Sequence, residues 1–453
     1  MTAHLSPKSI TAATPLLPQR PLHVVIIGGG IGGLALAQGL RKSGVSVAVY
    51  ERDGTSTDRV QGYRVHINPT GSAALHECLP PHLFYAFART CGKPTKGIRF
   101  VTEHGKVLLA ADEMNAPERF DAIAQLLSVS RITLRQVLLS GLEGVMNFGK
   151  VFVRYEESPS GRIVAHFEDG TQAAGDVVVA ADGGGSRVRG QFLPQAERID
   201  TGILGIAGKV FLDEQMRRRI APEFLNGLTL VSGMDGYCLF TALQEIAGVA
   251  VDGFGGNDAS AHVGAHFDNS RSYLMWAFGA RRERFDLSEK PEQAAGEPLR
   301  LAVLKAMAAH GWDERFLTLV RLANADTINA IAIRTSVPVA PWQTQRVTLL
   351  GDAIHSMTPY RGIGANVALK DAKLLCAALT AASRGRRPVL EAIHDYEAGM
   401  INYGFRAVRT SLHAMNQAIV ESRLRAMLSR MVLRFINRVP PLKRRMLERM
   451  GEE

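Results

Sequence analysis

Cysteine is scarce. Four occur in 453 residues, and Cys78, Cys91, Cys238 and Cys376 stand in no C-x-x-C or C-x-x-x-x-C spacing. That excludes a dithiol redox centre and a sequence-local zinc clamp; no metal is expected, and reduced, buried thiols are the reading. No run approaches the roughly 20 apolar residues that a membrane-spanning helix needs. The first 22 residues hold no acid and lack the apolar core of a secretory signal. Their Ser, Thr and Pro content predicts a disordered tail over 1–20, with a transit peptide as the alternative. A cytoplasmic location is expected.

Acids are outnumbered, 43 against 53 Lys and Arg, for a net charge of +10. The surplus is local: Arg423–Arg449 carries nine basic residues and one acid, Glu448. The remaining body is only mildly basic, which argues against nucleic acid as the partner of the main site. In the basic segment Leu424, Met427, Leu428, Met431, Val432, Phe435, Ile436 and Val439 recur at helical spacing, with Arg430, Arg434 and Arg438 on another face. Such a helix can pack its apolar face on the protein body, the preferred reading, or make peripheral contact with an anionic membrane.

Residues 23–27 (HVVII) have the composition of a buried parallel strand. A glycine cluster, a helical stretch over 32–43 and a second strand from Val45 to Tyr50 follow, which together predict a β-α-β unit. The cluster Gly28-Gly29-Gly30-Ile31-Gly32-Gly33 contains G-x-G-x-x-G and is answered by Glu51 at the end of the second strand. In that setting Gly28 permits a tight turn, Gly30 lets a pyrophosphate approach the helix N-terminus, and Gly33 lets helix and strand pack closely. Glu51 can accept hydrogen bonds from both ribose hydroxyls of an adenosine, and its charge disfavours a 2′-phosphate. The cluster alone does not distinguish NAD from FAD.

Further along, helical spacing covers Ile132–Val145, and strand-like alternation over 151–180 is broken at Ser158–Gly161 and Asp169-Gly170. Strands are expected near 203–211, 227–232, 236–242 and 272–280, and helix over 298–320. Arg346–Leu350 is another short buried strand. A helix begins near Gly364, and the rest is helical with breaks at Pro388 and Pro440-Pro441.

Two more strand ends carry recognisable loops. Val177–Ala181 runs into Asp182-Gly183-Gly184-Gly185-Ser186-Arg187, and Arg346–Leu350 runs into G-D-A-x-H-x-x-x-P-x-x-G-x-G-x-N over Gly351–Asn366. With the first glycine cluster, in this order, they make residues 23–380 resemble the single-component flavoprotein monooxygenases of the para-hydroxybenzoate hydroxylase type. The resemblance implies an α/β fold: a Rossmann-like FAD-binding domain interleaved with a mixed β-sheet substrate domain, and a C-terminal helical segment. The expected division assigns 21–75, 120–195 and 325–385 to the FAD-binding domain, 76–119 and 196–324 to the substrate domain, and 386–453 to C-terminal helices.

The resemblance also implies roles. Asp352 would hydrogen-bond the ribityl chain of FAD, Pro359 would lie beside the isoalloxazine ring, and the amides around Gly362, Gly364, Ala365 and Asn366 would face its N1–C2=O edge. A helix N-terminus there stabilises the negative charge of reduced flavin. Arg131 matches an arginine that contacts the flavin nucleotide. Arg64 would sit near the pyrophosphate or the ring, and Arg52 could cover the adenine. Asp182 and Arg187 belong to a motif associated with FAD and with pyridine-nucleotide pyrophosphate; beside an anion Asp182 is expected to organise its loop rather than touch the phosphate. His355 is expected to be scaffold.

The chemistry so implied is reduction of FAD by NADPH or NADH, reaction with O2 to a flavin C4a-hydroperoxide, and hydroxylation or epoxidation of a small organic substrate, by family default aromatic or polyketide-like. Gly253–Asp258 begins like a second G-x-G-x-x-G but has Asp258 at the third glycine, so the nicotinamide cofactor is expected to dock transiently. Tyr237, Phe240, Tyr273, Met275 and Trp276 are the bulky residues of the 200–285 sheet. Tyr237, Phe240, Tyr273 and Trp276 are the substrate-pocket candidates, with ordinary core as the competing reading. No residue pair is identified as catalytic. Rival readings are a prenyl-chain reductase or an oxidase on the same scaffold, or a non-catalytic flavin or lipid carrier. Trp276, Trp312 and Trp342 are too far apart for the W-x-W-x-I-P of flavin halogenases. A monomer or homodimer is expected.

Overall fold

The computed structural model describes residues 21–55, 63–92, 97–111, 121–246, 271–287 and 290–452, with side chains up to Met446. The expected tail 1–20 and the Gly253–Asp258 segment lie outside the described residues.

The chain opens with β1 (His23–Ile27), α1 (Ile31–Lys42) and β2 (Ser46–Tyr50). There follow β3 (Arg64–Ile67), α2 (Pro69–Cys78), α3 (Pro81–Thr90), β4 (Ile98–Thr102), β5 (Val107–Ala111), β6 (Leu127–Ser130), α4 (Arg131–Leu139) and β7 (Met146–Asn147). Next come β8 (Phe152–Glu157), β9 (Ile163–Phe167), β10 (Gln172–Gly175), β11 (Val177–Ala180), α5 (Arg187–Phe192), β12 (Arg198–Phe211), α6 (Glu214–Arg219), β13 (Leu228–Ser232), β14 (Cys238–Gln244) and β15 (Tyr273–Arg281). The last part holds α7 (Glu297–Ala309), α8 (Glu314–Arg321), β16 (Asn329–Ser336), β17 (Val347–Leu349), α9 (Asp352–His355), α10 (Gly364–Ser383), α11 (Val389–Ala418), α12 (Arg423–Arg438) and α13 (Pro440–Glu452).

The first sheet is parallel, in the order β17-β11-β1-β2-β7. Val24, Val25 and Ile26 of β1 and all four residues of β11 are fully buried, which is why these strands read as unbroken apolar runs rather than alternating ones. Parallel pairing has one decisive consequence. The C-terminal ends of β17, β11, β1 and β2 fall on one edge, so Asp352, Asp182, Gly28 and Glu51 line up there although they lie 23 to 324 positions apart in sequence. Three antiparallel strands, β10-β9-β8, form a small separate sheet, and β3 pairs with β6.

The second large sheet runs β16-β12-β15-β14-β13-β4-β5 and is antiparallel except between β13 and β4. α7 and α8 cover one face, burying Leu204, Ile206, Trp276 and Phe278 against Trp312 and Phe316. The other face turns toward the parallel sheet's C-terminal edge.

Two expectations are corrected. Helix does not extend from Ile132 to Val145: α4 ends at Leu139, because Ser140 is non-helical and Gly141 takes φ +76°. The apolar face of α12 does not pack on the body. The packed side carries Ala426, Arg430 and Asn437, while Leu424, Met427, Leu428, Met431, Val432 and Phe435 stay exposed. Polar bonds from Arg430 and Asn437 to the β4–β5 end of the sheet outweigh the hydrophobic pattern in setting the helix's rotation.

Candidate functional site

One continuous cavity of about 4350 Å³ runs from the glycine cluster, along the parallel sheet's edge, to the open face of the seven-stranded sheet. Single-ligand pockets are typically about 300–1,000 Å³, so this cavity has room for more than one molecule.

At the nucleotide end, Gly28 has φ +112°, and a Cβ there would sit 2.3 Å from the Ala181 carbonyl oxygen. A Cβ on Gly33 would meet the Gly28 carbonyl oxygen at 2.2 Å, whereas one on Gly30 meets nothing within 4 Å. Gly28 and Gly33 are therefore required by the protein's own packing. Gly30 faces the cavity, where only a ligand would use the space. It is also the N-cap of α1, so the first-turn amides of that helix have no side-chain acceptor. The start of α10 repeats the arrangement: Gly362 is left-handed at φ +65°, Ile363 is the N-cap, and the first turn holds no acid. Two uncapped helix N-termini thus open onto the same cavity, with Gly30, Ile31, Gly364 and Ala365 on its wall, an arrangement that suits a long anionic ligand.

Glu51 is buried; its Oε2 accepts the Gly29 amide at 2.6 Å and its Oε1 the Asp53 amide at 3.0 Å. The loop that would hold a pyrophosphate therefore also aims the carboxylate. Arg52 follows it, exposed at the cavity wall. Arg131, at the first position of α4, is exposed to the cavity as well. Arg135, one turn on, is buried and donates from Nε to the Gly29 carbonyl at 3.4 Å. The i, i+4 spacing of Arg131 and Arg135 was the available sequence signal, and Arg135 was missed.

Asp182 accepts the Arg187 amide at 2.9 Å and the Val188 amide at 3.4 Å at the start of α5, whose N-cap is Ser186. Its other oxygen is buried without a hydrogen bond, and burial raises its pKa despite those bonds. Its contacts are those of a loop organiser. Arg187 is directed to the Phe152 carbonyl at 2.9 Å and to Glu168 at 2.6 Å. Asp352 is exposed on the cavity wall at the start of α9, close enough to the half-buried Arg198 for its charge to act on that guanidinium. Arg198 donates to Ser356 Oγ at 3.1 Å and was not foreseen.

Pro359, Tyr360, Arg361 and Gly362 form the loop between the two sheets. The Tyr360 hydroxyl lies 3.7 Å from Cys238 Sγ on β14, and burial pushes its pKa well up. The Asn366 side chain has a structural task beside the backbone-amide role its motif implied. It donates to the His66 carbonyl at 2.9 Å and accepts the Asn68 amide at 3.0 Å, away from the cavity wall. It fastens β3 and α2 to α10, and a Cβ on Gly71 would strike its Oδ1 at 2.2 Å.

The pleat sorts the aromatic candidates. On β15, Met275, Ala277 and Gly279 face the cavity, and Trp276 points to the α7–α8 core with no exposed surface. Tyr237 is also core: it stacks on Phe278 at 5.5 Å and packs on His310 at 4.6 Å. Tyr273 is on the cavity-side parity, but it is buried at the sheet's end with Lys209 4.6 Å from its ring centroid. Of the four substrate candidates, only Phe240 lines the cavity. Burial pushes the Lys209 amine down to about 8. Arg64 donates to the Leu243 carbonyl at 2.8 Å, bracing the sheet, and burial lowers its pKa to about 10. Burial, and then the charge of Arg64, lower His66 to about 4. From α11, Arg409, Thr410, His413 and Gln417 complete the wall, and no sequence motif marks them.

The FAD binding domain family matches residues 152–409, and an NAD(P)-binding Rossmann-like domain family matches 26–89. Among curated proteins, the dual O-methyltransferase/FAD-dependent monooxygenase elcB of Phaeosphaeria nodorum is 30% identical over 394 residues, covering 79% of this chain and 40% of that protein. The chain thus spans less than half the length of that relative. The 3-amino-4-hydroxybenzoate 2-monooxygenase PtmB3 of Streptomyces platensis is 27% identical, over 88% of this chain and 90% of that protein. A crystal structure assigned as an FAD-containing monooxygenase from Photorhabdus luminescens is similar with TM-score 0.77 and 33% identity, covering 89% of this chain and all of the other.

Proposed function

The chain belongs to the FAD-binding flavoprotein monooxygenase family, and on that footing we propose that it uses NAD(P)H and O2 to hydroxylate or epoxidise a small aromatic or polyketide-like metabolite. The observation that carries the reading is the pair of uncapped helix N-termini, of α1 and α10, that open onto one cavity whose wall also holds Glu51 and Asp352. That combination of anion-seeking backbone and hydroxyl-seeking carboxylates suits an adenine dinucleotide with a ribityl arm.

In this reading the amides after Gly30 would hold the pyrophosphate, Glu51 and Asp352 would accept from sugar and ribityl hydroxyls, and Arg52 and Arg131 would close the nucleotide end. The amides of Gly364 and Ala365 would stabilise the negative charge of the reduced flavin. FAD, when bound and reduced, supplies the electrons and the oxygen activation that no side chain here can provide. The protein's part is enclosure and orientation. Phe240, Met275, Ala277 and Leu230 offer an apolar face against which a planar substrate can lie, and Tyr360, held near Cys238, bridges the loop to that face. Exclusion of water over this face protects the activated oxygen from wasteful release. The aromatic substrate class is supported by PtmB3, whose name specifies an aminohydroxybenzoate.

The test is reconstitution with FAD followed by a substrate screen. Yellow protein, NAD(P)H loss matched by O2 uptake, and a product heavier by one oxygen are expected. NAD(P)H oxidation with a reduced product and no O2 uptake would move the protein to the reductases, and a folded chain that takes up no FAD would end the reading.

A further inference from the structure

We propose that α12 and α13 dock the protein on an anionic lipid surface. The proposal rests on the rotation of α12. Beside the small Ala426 and the half-buried Leu433, its packed side is held by polar bonds: Arg430 pairs with Glu103 and donates to the Ser232 carbonyl at 2.7 Å, and Asn437 Oδ1 accepts the Ala110 amide at 3.3 Å. The side turned outward is apolar. Leu424, Met427, Leu428, Met431 and Phe435 recur at three- and four-residue steps and are 55% to 77% exposed. Scattered exposed apolar side chains are ordinary, but a continuous stripe along about three turns of one helix is an interaction surface.

The charges say what covers it. α12 carries five arginines and no acid. Arg423 is paired with Asp235 and Arg430 with Glu103. Arg425, Arg434 and Arg438 make no ion pair among the described residues, and helical geometry places Arg425 and Arg434 along the two edges of the stripe. Lys443 and Arg445 extend the positive surface onto α13. An apolar stripe flanked by guanidinium groups matches the boundary between acyl chains and anionic headgroups. A second copy of the chain fits poorly, because its stripe would bring an acid-free row of arginines against this one. Phe435 and Val432 belong both to the exposed stripe and to the cavity wall, which Leu442 and Met446 continue. Docking would therefore set the cavity's rim against the bilayer, a route for a lipophilic substrate; this last clause alone rests on the function proposed above.

The experiment is co-sedimentation of the FAD-loaded full chain with phosphatidylserine/phosphatidylcholine vesicles and with phosphatidylcholine vesicles alone. Binding to the first and little to the second is expected, weakening as salt is raised. The variants Leu428→Ser/Met431→Ser and Arg425→Gln/Arg434→Gln/Arg438→Gln touch neither the cavity wall nor the packed side. Each should lower the partition coefficient by about tenfold or more while FAD content and melting temperature hold. No sedimentation with anionic vesicles, or sedimentation of both variants like wild type, overturns the proposal. So does a lipid-free dimer in light scattering that Leu428→Ser/Met431→Ser dissociates, since a second copy would then cover the stripe. If the apolar variant loses its flavin, the arginine variant still decides. None of these readouts depends on turnover, so a failure here leaves the oxygenase assignment untouched.

Discussion

His355 Nε2 and Asp371 Oδ2 lie 2.7 Å apart in a region closed to solvent, with 1% and 0% of their side chains exposed. The same Asp371 oxygen accepts the Gly351 amide at 2.7 Å, and its partner oxygen accepts the Tyr403 hydroxyl at 2.6 Å. Burial alone would discharge His355, but the charge and hydrogen bond of Asp371 prevail and its pKa is raised. The pair ties the turn that presents Asp352 to α10 and α11, which makes His355 a support of the site and not a proton carrier within it.

Asp371→Asn removes the charge on which this buried network depends, and a loss of about 3–5 kcal/mol of stability is expected. Asp352→Asn, on the cavity wall, should leave the melting temperature of the flavin-free protein nearly unchanged and weaken FAD binding. Calorimetry of the flavin-free proteins beside a fluorescence titration with FAD separates the two effects.

The glycines of the first loop should divide in the same way. Gly33→Ala drives a methyl group into the Gly28 carbonyl and is expected to abolish soluble, folded protein. Gly30→Ala places its methyl group in open space, so the fold should survive while FAD affinity falls on the order of tenfold or more, because the close approach of a pyrophosphate is blocked. Equal loss of folding in both variants would contradict the assignment of Gly30 to the ligand.

Phe240 and Trp276 lie on adjacent strands with opposite sides to serve. Trp276→Ala empties a fully buried site and should cost about 3–5 kcal/mol, read as a lower midpoint in urea. Phe240→Ala should spare most of that stability and shift KM or substrate preference about tenfold, once a substrate is found.

Acid sensitivity is expected below neutral pH. His66 titrates near 4 when folded against an ordinary value of 6.5. The unfolded chain therefore takes up this proton first, and the stability held above about 6.5 is lost as pH falls toward 4, on the order of 2–3 kcal/mol. His66→Gln should flatten that part of the stability–pH curve, measured by urea denaturation at several pH values. An unchanged slope in the variant would assign the acid loss to other groups.

The parallel strands were legible because burial on both faces leaves an unmistakable mark: Val24–Ile27 and Val177–Ala181 contain no polar residue to compromise the reading. The loops were legible because their glycines and carboxylates are demanded by local geometry, the turn at Gly28 and the amide contacts of Asp182, which short stretches of chain encode by themselves. Which side of a sheet or helix a residue faces is different in kind. Trp276 and Met275 are neighbours with similar credentials, and only the pairing register of β15 sends one to the core and the other to the cavity. Nothing local in the sequence tells that the Asn366 side chain fastens β3, 300 positions earlier, to α10. The stripe on α12 follows the same logic. Its period is written in the sequence, but the choice of which face is buried was made by Glu103 and Ser232, residues of another sheet that outbid hydrophobicity for the helix's orientation. Local chemistry thus wrote the glycine and carboxylate loops, whereas long-range packing decided which side chains line the cavity.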